Sequence, residues 1–159
     1  MTIKREAAYH EAAHAVMAHR SLFHALVGQI NLENYGAGEI FVSLSKAKLK
    51  AQGKAAILEM AKKPEVASDL ARILVAGYVA EQIAAESDDT LKPSIDCARP
   101  DHDMVRQQLS SAGLSKQFDR FEAAVRDILR TEWPLVEKVA QYLHQHGRAE
   151  PEVILALMI

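Results

Sequence analysis

His10 and His14 stand four positions apart, a spacing that puts both imidazoles on one side of an α-helix, one turn apart. From adjacent turns, two such rings can close on a single metal ion. Glu11 follows the first histidine, where its carboxylate can lean over a metal without binding it and take a proton from the water that the metal activates. His10-Glu11-Ala12-Ala13-His14 is therefore the pattern of a zinc-peptidase helix. The flanking residues favour that helix. Ala7, Ala8, Ala12, Ala13, Ala15 and Ala18 are strong helix formers, and neither proline nor glycine interrupts residues 3–27. A helix with two surface histidines and no metal is the bland alternative.

A catalytic zinc usually takes three protein ligands and a water. Nearby side chains do not offer the third. His19 lies too far round the helix from His14, Arg20 stands where a third histidine six residues on would be, and His24 is about two turns or more away. Glu33 falls in an expected turn and reaches the pair only if that turn folds back.

The run Ala8-Tyr9-His10-Glu11-Ala12-Ala13-His14-Ala15-Val16 resembles the motif helix of the FtsH-type zinc metallopeptidases, usually Ala-Tyr-His-Glu-Ala-Gly-His-Ala, with Ala13 in place of the glycine. The resemblance implies that the third ligand is an aspartate opening a downstream helix. Asp103-Met104-Val105-Arg106 matches that pattern and makes Asp103 the candidate. Asp101 is the alternative, because the connection after Gly77 is longer here than is usual and the register can slip by two. An aspartate that only caps a helix is the structural alternative to both.

The segment from Ala71 to Glu81 resembles the family's second helix, with Gly77 at a glycine that permits close packing and Glu81 at the family's glutamate. A carboxylate on an otherwise apolar helix is costly to bury alone. Glu81 is expected to accept a hydrogen bond from the other ring nitrogen of a ligand histidine, or else to sit at the wet edge of its helix.

These residues need a scaffold. A chain of 159 residues, 49% hydrophobic and 25% charged, is that of one ordinary globular domain over residues 1–159. The net charge of −2 gives no general drive toward nucleic acid or acidic membranes. A lone cysteine, Cys97, excludes an internal disulfide and fits a reducing compartment. No apolar run is long enough to span a bilayer and no secretory pattern opens the chain, so a cytoplasmic location is expected. No Gly-x-x-x-x-Gly-Lys-Ser/Thr phosphate loop occurs, whereas FtsH-type enzymes join their peptidase domain to a membrane anchor and an ATP-driven unfoldase.

Periodicity predicts a first helix over residues 3–25, then a hairpin of strands at 27–32 and 39–44 around a glycine-bearing turn. By resemblance, the second strand (Ile40, Phe41 and Val42) pairs with an extended substrate through backbone hydrogen bonds; the alternative is a hairpin that only covers the core. A lysine-rich helix is expected over 46–63, with Lys46, Lys50 and Lys54 in a stripe that reads either as a solvated face or as a contact for nucleic acid. An apolar central helix follows over 66–86, then an irregular stretch over 87–101. Helical patterns resume at 103 and continue past Pro134, with a short closing helix after Pro151.

The fold class expected is α+β, mostly α-helical: a helical bundle with a small hairpin beside the metal-binding helix. The function expected is zinc-dependent hydrolysis of peptide bonds in short or unfolded polypeptides, with His10, His14 and Asp103 on Zn²⁺ and Glu11 as general base. A separate ATP-driven unfoldase and self-association follow by resemblance. The alternatives are an inactive peptidase-like binding module and an interaction or nucleic-acid-binding domain built on the lysine helix.

Overall fold

The computed structural model describes residues 4–36 and 41–159. Its fold is α+β and mostly helical, with seven helices and two small antiparallel sheets among the described residues.

Helix α1 (Arg5–Arg20) is buried from Ala7 to Ala18 except at Tyr9, which is half-buried. Its alanines make this possible, because a helix with so many methyl side chains can be approached closely on several sides. It packs on α3 (Pro64–Glu86) and on α6 (Trp133–His146). Ala13, where the FtsH-type motif has glycine, is wholly buried. The helix stops five residues earlier than its composition predicts. Ser21 turns extended, and its hydroxyl oxygen accepts from the backbone N–H groups of Phe23 (3.0 Å) and His24 (2.7 Å). That bonding offers the backbone an alternative to the helix, as serine commonly does at helix ends. Asp69 completes the corner, accepting from the Ser21 hydroxyl and lying 2.6 Å from His24 Nδ1.

The expected hairpin forms with a different partner. Strand β1 (His24–Leu26) pairs with β3 (Val42–Leu44), in the register His24↔Leu44 and Leu26↔Val42. Strand β2 (Ile30–Asn31), inside the segment expected to pair with residues 39–44, joins β4 (Arg148–Ala149) near the end of the chain. The lysine-rich segment is helical only over α2 (Lys46–Ala51), and Gly53 at φ +70° turns the chain before a 3-10 turn at Leu58–Lys62. Lys48, outside the stripe of Lys46, Lys50 and Lys54, points inward: its ammonium donates to the Ala18 carbonyl (3.1 Å) and the His24 carbonyl (2.5 Å), tying α2 to the end of α1.

Helix α3 is the buried centre, with Ile73, Leu74, Val75, Ala76, Val79 and Ala80 nearly inaccessible. Helix α4 (Ile95–Ser111) begins eight residues before the expected start, because Ser94 caps it by accepting from the Cys97 N–H. Pro100 lies inside this helix and costs it one internal hydrogen bond without ending it. Helices α5 (Phe118–Thr131) and α7 (Pro151–Leu157) close the bundle. Among the described residues, no helix is long and apolar enough to cross a membrane.

Candidate metal centre

His10 and His14 project from α1 toward α3, and their rings meet edge to face with centroids 4.7 Å apart. The space for His10 comes from Gly77. A β-carbon on Gly77 would lie 2.5 Å from Nε2 and Cε1 of the His10 ring, well inside contact distance. Any side chain there would therefore collide with the imidazole.

Each histidine is held from behind. His10 Nδ1 lies 2.8 Å from Glu81 Oε2, and His14 Nδ1 lies 2.7 Å from the carbonyl of Ile73, both on α3. A carbonyl and a carboxylate only accept, so both Nδ1 atoms carry the proton and donate. In the neutral ring this leaves both Nε2 atoms with lone pairs pointing forward. They converge on one oxygen: Asp101 Oδ2 is 2.9 Å from His10 Nε2 and 3.1 Å from His14 Nε2. Three electron-pair donors thus meet at one point. His10, His14 and Asp101 are the one group of three such residues among those described whose donor atoms come together in this way.

Asp101 supplies the third donor, and Asp103 does not. The buried face of α4 runs through Ala98, Asp101, Val105 and Leu109, at steps of three and four residues. Two residues on from Asp101, Asp103 is turned to the opposite side. Its side chain is 69% exposed, and its nearest cation is Arg106 at 3.8 Å. The match of Asp103 and Arg106 to the family pattern reflects only their i, i+3 neighbourhood on the solvent face. His102 also stays out of the group, held edge-on between the rings of Tyr78 and Phe118. Burial lowers its pKa.

Electrostatics at this point are those of charges kept from water. Burial works against the imidazolium of His10, but hydrogen bonds to Asp101 and Glu81 outweigh it and push its pKa up to about 10. Burial likewise disfavours ionised Asp101, yet His14 and His10 hold that carboxyl below its usual range. Glu11 lies beside the cluster, 4.0 Å from His10 Nε2. Burial raises its pKa, against the opposing pull of both histidines. A carboxylate so placed and so tuned can take up a proton and release it again.

Glu81 occupies the buried position, not the wet edge, at 1% exposure. Its second oxygen has two partners that the sequence did not announce: the Tyr35 hydroxyl donates at 2.5 Å and the Ser94 backbone N–H at 3.1 Å. Tyr35 appears in the sequence only as part of a turn. Ser94, three residues before Cys97, carries a readable capping signal for α4.

Of the proposed edge-strand residues, Phe41 and Val42 are buried and Ile40 lies outside the described residues. The Phe41 ring stands 6.2 Å from that of His14, and its carbonyl accepts from Val27 N–H at 2.9 Å. Strand β3 therefore passes directly beside the cluster. Among the described residues its other edge has no strand partner. Comparison with known proteins yields no matching family model, no matching curated protein and no matching solved structure.

Proposed function

We propose that this protein is a zinc metallopeptidase of the FtsH type, with His10, His14 and Asp101 as metal ligands and Glu11 as general base. One observation carries the reading: both Nε2 atoms, their Nδ1 partners already fixed, converge on a single oxygen of Asp101. Donor atoms on a tetrahedral zinc sit about 3.3 Å apart, given bond lengths of about 2.0–2.1 Å. The observed separations need only a small outward shift to reach that value.

When bound, zinc supplies Lewis acidity that acidifies water and polarises a carbonyl. Glu11 takes the proton of the attacking water and passes it to the leaving amine. Its raised pKa suits a group that must do both. The edge of β3 that has no strand partner among the described residues, next to Phe41 and so to His14, is the place for an extended substrate to lie, held through backbone hydrogen bonds that ignore side-chain identity. By resemblance to the FtsH type, short or unfolded polypeptides are the substrates, and folded ones require an ATP-driven unfoldase.

The test is Glu11→Gln. The variant should keep its zinc and lose casein hydrolysis by about two to four orders of magnitude. Hydrolysis at the wild-type rate would refute the assignment. A second reading, a peptidase-like module that binds partners without cleaving them, is favoured by the ease with which His10 carries a proton between two carboxylates. Wild-type protein that binds zinc but leaves casein intact would establish it.

A further inference from the structure

Glu81 has two oxygens with different tasks, and their division of labour involves residues outside the proposed metal cluster. Oε2 faces His10 Nδ1 at 2.8 Å. Oε1 receives the Tyr35 hydroxyl at 2.5 Å and the Ser94 backbone N–H at 3.1 Å. We propose that Tyr35, together with the Ser94 N–H, is a positioning group for the metal site, fixing Glu81 so that one carboxylate sets both the ring nitrogen of His10 and the placement of Asp101.

The chemistry of the donors leads there. A backbone N–H can only donate, so Oε1 must accept. The Tyr35 phenol, half-buried beside a carboxylate, keeps its proton and donates as well; burial first, then Glu81, raises its pKa. Two donors on Oε1 leave Oε2 as the acceptor for His10 Nδ1–H. His10 Nε2 is thereby left to face forward. The same contact locates α4. Ser94 caps that helix, and Asp101 lies seven residues on, two turns along nearly the same face. Gly36, the residue after Tyr35, packs against the first turn of α4: a β-carbon on it, at φ +84°, would lie 3.0 Å from Cys97 Sγ. The loop after β2, the centre of α3 and the start of α4 therefore meet at one carboxylate.

The inference rests on the metal reading above, and the experiment separates the two. Zinc affinity is measured by chelator competition for the wild type, Tyr35→Phe, Glu81→Gln and a control, Tyr142→Phe, whose ring stacks on His146 rather than on a residue of the cluster. Tyr35→Phe keeps the ring that packs 5.3 Å from His10 and removes only the hydroxyl. It should weaken zinc binding by about three- to tenfold, below the roughly 10–100-fold usual for a direct partner of a ligand histidine. Glu81→Gln should lose more, because its amide NH₂ must face a donor on one side or the other. Tyr142→Phe should bind as the wild type does.

Nitrogen-15 spectra of the zinc-loaded protein supply a readout that altered packing alone would not move. The His10 Nδ1–H proton should exchange slowly in the wild type and faster in Tyr35→Phe. The unaltered protein gives a check that needs no variant, namely a protected Tyr35 hydroxyl proton. Wild-type zinc affinity and unchanged Nδ1–H exchange in Tyr35→Phe would overturn the positioning role while leaving the metal site intact. A wild type that takes up no zinc would overturn both.

Discussion

Gly77→Ala sets two effects of one methyl group against each other. Alanine is the better helix former by about 1 kcal/mol, so at an uncrowded position in a long helix the change would stabilise the protein. At position 77 the new carbon meets Nε2 and Cε1 of His10 at 2.5 Å and Cδ2 at 2.7 Å. Ordinary contact begins about 1 Å further out. The ring cannot swing aside freely, because Glu81 holds Nδ1 and Asp101 holds Nε2. Relief requires either moving α1 from α3 or turning His10 out of both bonds. Overpacking of this kind costs about 1–3 kcal/mol, so the net change in stability should be small, roughly 0–2 kcal/mol of loss.

Function has no such compensation, since a 1 Å misplacement costs a preorganised site about a hundredfold. Thermal denaturation of the metal-free protein, zinc competition and casein hydrolysis together form the assay. The expected outcome is a folded protein with only a slightly changed Tm, zinc affinity lowered at least about a hundredfold, and no turnover. Wild-type zinc affinity in Gly77→Ala would refute the placement of His10 against that glycine.

Further outcomes follow from the same contacts. In the presence of chelator, His10 titrates near 10 in the folded chain against 6.5 when free, so its contribution to stability is full below pH 6.5 and is lost as pH rises through 10. Denaturation midpoints of the metal-free protein should fall across that interval, and a flat profile would contradict the clamped imidazolium. Lys48→Met removes the ammonium that satisfies the Ala18 and His24 carbonyls and should destabilise the protein by about 1 kcal/mol, read by urea denaturation, since the group is only partly buried. Asp88, bonded to Thr90 and Arg5, titrates at about 2, below its ordinary 3.8. Its help to stability is present above pH 3.8 and lost as pH falls through 2, and Arg5→Ala should shrink that acid-side dependence in a pH-resolved melt.

The parts of the molecule that repeat an apolar residue every three or four positions were legible from the residues alone. The alanine helix, the centre of α3 and the Val136, Val139, Ala140 and Leu143 face of α6 lie where periodicity puts them. His10, Glu11, His14 and Glu81 come together because they sit on such helices. What escaped the sequence has identifiable causes. Strand β1 is three residues long and gives no alternation to read, and β2 finds its partner more than a hundred residues away, which no local pattern encodes. Residues 87–94 are irregular as expected, but Pro93 and Pro100 made 95–101 look so too, although the Ser94 cap outweighs them and α4 runs through Pro100. The choice between Asp101 and Asp103 was a question of helical phase. Which aspartate stands beside the histidines depends on which residues of α4 face inward, not on the letters around the aspartate.

In the proposed site two imidazoles and the Asp101 carboxylate share one divalent cation. Zinc bound per chain at equilibrium decides whether they do, measured on the wild type, Asp101→Ala and Asp103→Ala purified without chelators. The expected values are one zinc for the wild type and for Asp103→Ala, and little or none for Asp101→Ala. A wild type without zinc, or an Asp101→Ala variant that binds it as tightly as the wild type, would contradict the account.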